Sequence, residues 1–98
     1  MKVVYTAEAL GDVGNILSFV AVQSPSHAPN VAARIDMVAK ALAIFPRAAR
    51  YDRETSTYER PIPGLPLLLI YMVSDELVEV IAVFHTSRDP TAKRRRAR

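Results

Sequence analysis

Apolar residues recur with two different periods along the chain, which indicates a helical first half and a stranded second half. Residues 3–5 are β-prone and predict a short first strand. Within residues 7–22 the apolar positions recur every three or four residues, which predicts one face of an amphipathic helix: Leu10, Val13, Ile16, Leu17 and Val20. Thr6 is the predicted N-cap of this helix, with Glu8 in its first turn.

A second helix is predicted after a turn at residues 23–26, with Ser24 or Ser26 as its cap. Pro29 favours Ser26, because the proline then falls in the first turn, where its missing N–H costs little. Its apolar positions alternate at spacings of four and three, a seam suited to a neighbouring helix: Val31, Ile35, Val38, Leu42 and Phe45. Pro46 ends the helix, and the short connection makes the two helices antiparallel.

The second half predicts strands. Residues 47–57 are polar and charged, which predicts a loop or a weakly held edge. Residues 58–62 predict an edge strand, because Pro61 and Pro63 cannot donate to a ladder. Residues 66–73 and 77–84 are nearly continuous in apolar residues, and the polar connection at residues 74–76 joins them in an antiparallel hairpin. The fold class is therefore α+β: an N-terminal strand, an antiparallel helical hairpin, then a C-terminal antiparallel sheet of three strands.

Strands that are apolar on both faces are usually covered on both faces. We expect the helical hairpin to cover one face of the sheet. Because Tyr71 lies inside an apolar strand, we expect its ring in the core and its hydroxyl at the surface. A loop, the tail, a second copy or another protein is expected on the other face.

The 98 residues, half of them apolar, suit a single domain at residues 1–90, followed by a basic disordered tail at residues 91–98. Cysteine is absent, which excludes disulfides, and His27 and His85 lie far apart, so we expect no metal site and no cofactor. The apolar runs are too short for a membrane span, and residues after Tyr5 turn polar without a secretory apolar stretch. We therefore expect a cytoplasmic protein.

The net charge of +3 is unevenly distributed. Residues 88–98 hold six basic side chains against one acidic side chain, whereas residues 1–87 hold seven basic and nine acidic ones. The basic character thus belongs to the tail and does not indicate a nucleic-acid-binding surface on the folded body. Direct nucleic-acid binding is expected only through the tail.

Several local sequences occur in an order that is similar to a known family. They are residues 5–9 entering the first helix, 24–25 between the helices, 42–46 closing the second helix, 69–71 in a central strand, and 80–90, where a strand runs into a His-x-x-Arg corner. Over the chain up to Pro90, this order resembles the ParE branch of the RelE/ParE toxin superfamily. The chain departs from the resemblance at residues 48–50, where many relatives have a glycine before the arginine.

The resemblance implies the toxin of a bacterial type II toxin–antitoxin system, neutralised by a small ParD-like antitoxin that lies along the apolar surface left open by the helices. ParE-like members are regarded as poisons of DNA gyrase that act by contact. RelE-like members cut mRNA in the ribosome. A third interpretation, from another class, is a non-toxic interaction domain that uses its basic tail on nucleic acid.

RNA cleavage needs a general base, a general acid and cations that stabilise the developing phosphorane charge. RelE-like relatives supply these with lysines and arginines on the sheet, often with a tyrosine or histidine near the C-terminus. Here only Arg60, His85 and Arg88 are available, with no lysine between Lys40 and Lys93. The sequence therefore favours a gyrase inhibitor with no catalytic residues, and these same three residues would be the catalytic set of a nuclease.

Arg88, His85 and Arg60 are also the candidate target-binding residues, in that order. The alternative for each is structural: a salt bridge for the arginines, such as Arg88 with Asp89, and a hydrogen-bonded strand end for His85. The sequence leaves open whether gyrase or the ribosome is the target, the contact residues, the stoichiometry of the antitoxin complex, the role of the tail and whether this copy is toxic.

Overall fold

The computed structural model describes residues 1–86 of the chain. Its elements are β1 (Lys2–Tyr5), α1 (Ala7–Gln23), a 3₁₀ turn (Pro25–His27), α2 (Ala28–Ile44), β2 (Arg50–Asp52), β3 (Thr57–Pro61), β4 (Leu67–Val73) and β5 (Leu77–His85). The strands form one sheet in the order β1-β5-β4-β3-β2, in which only β1 runs parallel to its neighbour. The predicted α+β class, with a strand and two helices before the antiparallel strands, is confirmed. Arg88 and the basic tail lie outside the described residues.

The sheet has two features that the sequence did not predict. Residues 50–52, inside the segment predicted as a loop or weak edge, form β2 and pair with β3. The prediction of β3 as the edge strand is therefore wrong, yet Pro61 is still accommodated, because β2 pairs only with residues 57–59. At the opposite edge, β1 pairs with residues 77–80 of β5, and the two helices form the crossover between β1 and the antiparallel strands.

Helix α1 begins as predicted, because the Thr6 side chain accepts a hydrogen bond from the backbone N–H of Ala9 at 3.1 Å. Four of the five apolar positions predicted for its buried face pack against the core, and Leu10 does not. Ala9 is buried and Leu10 is 58 % exposed, which corrects the assignment of Leu10 to the core. The packed positions Val13, Ile16, Leu17 and Val20 keep the helical spacing from Ala9, and Leu10 lies about 100° further round the helix.

Helix α2 begins at Ala28, after the 3₁₀ turn, so neither serine caps it by a side-chain hydrogen bond. Pro29 lies in the first turn as predicted, while the Ser24 hydroxyl pairs with His27 Nδ1 at 2.8 Å. The seam of Val31, Ile35, Val38 and Leu42 is buried. Phe45 is 65 % exposed, because it occupies the C-cap with φ −124° and the helical spacing no longer directs its side chain inward.

The helices pack on one face of the sheet, which we call the helix face. Its core joins both helices to β4 and β5 through Ala9, Val31, Ile35, Val38, Leu42, Ile62, Leu67, Leu69, Tyr71, Val78, Val80 and Val83. Each fully buried leucine or valine there contributes about 1.5–3 kcal/mol. The opposite side, the outer face, carries a second apolar cluster centred on the buried Ile70, Ile81 and Ala82.

A β-bulge divides the side chains of β5 between the two faces. Tyr71 lies opposite Val80 and Ile70 lies opposite Ala82, so Ile81 is an extra residue on β5. The bulge lets Val80 and Val83 pack in the helix-face core, while Ile81 and Ala82 both pack in the outer-face cluster.

Candidate functional site

His85 is the last residue of β5 and pairs with Leu67 at the start of β4. The next residue, Thr86, extends the β4–β5 ladder by donating its backbone N–H to the Pro66 carbonyl at 2.9 Å. The His85 side chain is exposed, and it stands at the mouth of an apolar cavity. The end of a central strand therefore presents this imidazole to solvent.

The cavity beside His85 was not predicted from sequence. It has a volume of about 620 Å³ and lies between the second half of α1 and the start of β4, lined by Asn15, Ile16, Phe19, Val20, Val31, Leu65, Pro66, Leu67 and His85. Phe19 projects from its rim and is 66 % exposed. One feature of the sequence could have indicated the cavity: α1 carries no charged residue between Asp12 and its end at Gln23. An uncharged, partly exposed helix surface beside an apolar cavity is typical of a protein-binding site.

Arg60 lies on the helix face of β3, where it pairs with Leu69 of β4. Its Nη1 donates to the Ala48 carbonyl, in the α2–β2 connection, at 3.2 Å. The side chain is half-buried and lines a second groove, of about 440 Å³, together with Arg34 of α2. Arg60 is thus fixed against the backbone rather than extended toward the His85 corner.

The structure does not bring Arg60 and His85 together. Arg60 belongs to the row of Leu69 and Val83, and His85 lies two residues beyond that row on β5. Two strand spacings of about 4.8 Å and two steps of about 3.3 Å put their Cα atoms roughly 12 Å apart. The two side chains line different cavities. Arg88, the third predicted residue, lies outside the described residues.

The outer face carries no cationic side chain on β3, β4 or β5. Its exposed or half-buried residues there are apolar, acidic or proline: Glu59, Pro61, Leu68, Met72, Leu77, Glu79 and Phe84. The register places cations on this face only at the two edges of the sheet: Arg50 on β2, opposite Glu59, and Lys2 on β1, opposite Leu77. A phosphodiester on this surface would therefore meet acidic and apolar groups at the centre of the sheet.

Three tyrosines form a row across the helix face, with Tyr51 opposite Tyr58 and Tyr58 opposite Tyr71. The ring centroids are 4.8 Å apart for Tyr51 and Tyr58, and 5.2 Å for the stacked pair Tyr58 and Tyr71. The prediction that the Tyr71 hydroxyl reaches the surface is wrong. The residue is wholly buried in the helix-face core, with the Tyr58 ring stacked on its own, and its hydroxyl has no hydrogen-bond partner.

Burial raises the pKa of Tyr71, since the phenolate would be poorly solvated; Tyr58 adds to this effect and the positive charge of Arg60 opposes it. Burial likewise raises the pKa of Tyr5, with a further contribution from the Asp36 carboxylate. Neither tyrosine is therefore poised as a general base near neutral pH.

Residues 1–86 contain no group of three or more His, Asp or Glu side chains placed to hold a metal ion. Within the same residues, neither helix is long and apolar enough to cross a membrane. The site features in this part of the chain are thus the His85 corner, the apolar cavity beside Phe19 and the groove between Arg34 and Arg60.

Comparison with known proteins identifies the family to which this chain is similar. The family model for the ParE toxin of the type II toxin–antitoxin system parDE matches residues 3–90. The chain is 31 % identical over 87 residues to Toxin RelE2 of Caulobacter vibrioides, covering 89 % of this chain and 97 % of that protein. It is also 31 % identical over 84 residues to Putative toxin Y4kP of Sinorhizobium fredii, covering 86 % of each.

A solved structure, described as the chromosomal ParDE TA system from P. aeruginosa, superposes with a TM-score of 0.77. It covers 87 % of this chain and 95 % of the matched chain at 17 % identity, which shows a shared fold. The family match, which includes the strand-to-corner segment at residues 80–90, spans nearly the whole chain. The chain therefore belongs to the ParE toxin family of the RelE/ParE superfamily and is a toxin of a type II toxin–antitoxin system.

Proposed function

We propose that this toxin inhibits DNA gyrase in the cytoplasm by protein–protein contact, without catalysis of its own. The observation that supports this most is the outer face of the sheet, where β3, β4 and β5 carry acidic and apolar side chains and no cation. A ribonuclease must stabilise a phosphorane dianion, and cations supply most of that stabilisation. The separation of Arg60 from His85 also argues against a shared nuclease centre.

In this proposal Arg88 and His85 contact the target. His85 is the exposed last residue of β5, and Arg88 follows it three residues later in the sequence. Arg60 has a smaller part, since it lines a different groove from His85 and their Cα atoms are roughly 12 Å apart. We expect Arg88→Ala to weaken gyrase inhibition most, His85→Ala less and Arg60→Ala least.

The alternative is mRNA cleavage, which the name RelE2 of one relative suggests. The two activities separate in one experiment. Purified toxin is added to gyrase with supercoiled plasmid, and in parallel to ribosomes programmed with a defined mRNA. We expect gyrase-linked DNA breaks and an intact message. Cuts in the mRNA without DNA breaks would overturn the proposal.

His85→Ala and His85→Gln sharpen this test. A general acid or base contributes about 10²–10⁴-fold to a rate, so either substitution would abolish cleavage by a nuclease. A contact residue tolerates glutamine better than alanine, because glutamine keeps a polar hydrogen-bonding group. Retention of gyrase inhibition in His85→Gln therefore supports a contact role.

We also propose that a cognate ParD-like antitoxin neutralises the toxin by covering an apolar surface. The sequence indicated the outer face. There, however, Ile70, Ile81 and Ala82 are already buried, so a partner gains area only from the rim of that cluster. The cavity beside Phe19 offers more exposed apolar surface, and we place the antitoxin segment there.

Phe19 and Phe45 provide a matched pair for this test, because their side chains are 66 % and 65 % exposed. Phe19 lies at the cavity, whereas Phe45 follows the far end of α2. The toxin is co-expressed with the small open reading frame adjacent to its gene, and complex formation is measured. We expect Phe19→Ser to weaken the complex and Phe45→Ser to leave it unchanged. If Phe84→Ser on the outer face weakens it instead, the antitoxin lies on that face.

A further inference from the structure

A groove on the side of α2 brings two arginines together. It has a volume of about 440 Å³ and is lined by Arg34, Met37, Val38, Ala41, Arg60 and Pro63. Arg34 comes from α2 and Arg60 from β3, so the groove spans the contact between the helix layer and the sheet. The lining of this groove differs entirely from that of the cavity beside Phe19.

Both guanidinium groups are held in place by backbone carbonyls. Arg34 Nη1 donates to the Pro63 carbonyl at 3.0 Å, and Arg60 Nη1 donates to the Ala48 carbonyl at 3.2 Å. A guanidinium has five N–H donors, so each of these bonds leaves further donors unused. Within residues 1–86 neither arginine forms an ion pair, in contrast to Lys40, which pairs with Asp36. The groove thus carries two ordered positive charges without an internal counter-charge.

The turn at Gly64 is built around Arg34. Gly64 has φ +78°, and a Cβ at this position would overlap Arg34 Nη1. The missing side chain therefore lets the guanidinium occupy that space, where it binds the preceding carbonyl of Pro63. Preorganisation of this kind lowers the entropy cost of binding an anion.

The rest of the lining is apolar: Met37, Val38, Ala41 and Pro63. Met37 is 67 % exposed. No aromatic side chain lines the groove, so a nucleobase would have nothing to stack on. Guanidinium groups bind carboxylates, and a flexible methionine packs against varied apolar side chains.

We propose that this groove binds a peptide segment of another protein in which an acidic residue adjoins a large apolar residue. The carboxylate pairs with the free donors of Arg34 and Arg60, and the apolar side chain packs on Met37, Val38 and Ala41. The proposal does not depend on gyrase as the target, because peptide binding is measured on the toxin alone.

The test uses two synthetic probes, acetyl-Leu-Asp-Leu-Glu-Leu-amide and its neutral analogue with asparagine and glutamine. The peptides are titrated into ¹⁵N-labelled full-length toxin, and the arginine Nε–Hε resonances are followed by NMR. We expect the acidic peptide to shift the signals of Arg34 and Arg60, and the neutral peptide to leave them in place. Backbone spectra of each variant verify that it is folded.

Arg60→Gln and Arg34→Gln should each weaken the acidic peptide at least about tenfold, because each removes a charge-assisted hydrogen bond. Arg34→Lys keeps the charge without the planar fork, so it should lose an intermediate amount. Arg47→Gln, an exposed arginine outside the groove, is the control and should bind as the parent does.

Four outcomes would overturn the proposal. One is equal binding of the acidic and neutral peptides, and another is peptide binding that survives both glutamine substitutions. The third is tighter binding of inorganic phosphate or adenosine monophosphate than of peptide at the same resonances. Shifts that depend on toxin concentration without peptide would show that a second copy fills the groove, which also contradicts it.

Discussion

The Asp12 carboxylate on α1 accepts a hydrogen bond from the backbone N–H of Val83 on β5 at 3.0 Å. Strand β1 pairs with β5 only as far as Val80, and the chain then turns into α1 at Thr6. Among residues 1–86, no strand pairs with this edge of β5 beyond that point, and Asp12 supplies an acceptor of the kind that a strand would provide. The carboxylate therefore satisfies a partly buried donor at the edge of the sheet.

We expect Asp12→Ala to lower the free energy of unfolding by about 1–3 kcal/mol, the cost of leaving a buried donor unpaired. Asp12→Asn keeps an acceptor oxygen and should cost less. Urea unfolding followed by circular dichroism measures both. Asp36→Ala is the control, because its exposed pair with Lys40 is worth only about 0.3–0.5 kcal/mol. Equal losses in Asp12→Ala and Asp36→Ala would contradict this role of Asp12.

Gly64 is predicted to be the glycine least tolerant of substitution. Gly64→Ala places a Cβ at φ +78° and against Arg34 Nη1, so we expect a loss of about 1–2 kcal/mol from the backbone alone. Gly64→Ala combined with Arg34→Ala should recover any further loss that comes from the overlap. Thermal unfolding of the two single variants and the double variant gives this coupling, and strictly additive losses would show that the overlap costs nothing.

The two glycines of α1 are expected to behave in the opposite way. A Cβ at Gly11 or Gly14 meets no atom within 4 Å, and both residues lie in the helix interior. Gly11→Ala and Gly14→Ala should each raise the free energy of unfolding by roughly 0.5–1 kcal/mol, because alanine is the better helix former. Destabilisation by either alanine, seen as a lower urea midpoint, would mean that α1 needs a glycine there.

Tyr71 is expected to weaken the fold in alkali. Its pKa is raised by burial from the usual 10.0, as is that of Tyr5, so the folded state holds these protons more tightly than the unfolded state. The resulting stability is complete below pH 10.0 and is lost as the pH rises through the raised values. Unfolding free energies measured across this range should fall with pH.

Tyr71→Phe removes a buried hydroxyl that has no partner. Near pH 7 we expect the free energy of unfolding to stay the same or to rise, by at most about 1–3 kcal/mol. Above pH 10.0 we expect it to fall less steeply with pH than in the parent. Tyr5→Phe should make the decline shallower as well. A steeper alkaline decline in Tyr71→Phe than in the parent would contradict the assignment.

Deletion of residues 91–98 tests the basic tail. The core of the described residues lies within residues 1–86, so we expect the unfolding free energy to change by less than about 0.5 kcal/mol and antitoxin binding to persist. Denaturation and co-purification measure the two effects. Loss of all activity, with the fold intact, would favour the interaction domain that acts on nucleic acid through its tail.

Much of the fold was predictable because it follows from local periodicity. The spacing of Val31, Ile35, Val38 and Leu42 identified the buried face of α2, and the apolar runs around residues 74–76 identified the β4–β5 hairpin. These signals need only neighbours in sequence. One error arose where two neighbouring residues, Ala9 and Leu10, both fit the helical spacing to Val13. Another arose at Phe45, where the helix ends and its spacing no longer applies.

Of the candidate site, the sequence by itself determined the family and the place of His85 at the end of the last strand, since both depend on residues that are contiguous along the chain. Only the tertiary structure decided which distant residues meet. It separated Arg60 from His85, paired Asp12 with Val83, and brought Arg34 and Arg60 into the lining of one groove. Such contacts depend on strand order and on how the helices lie across the sheet, and residues that are far apart in sequence carry no local pattern for either.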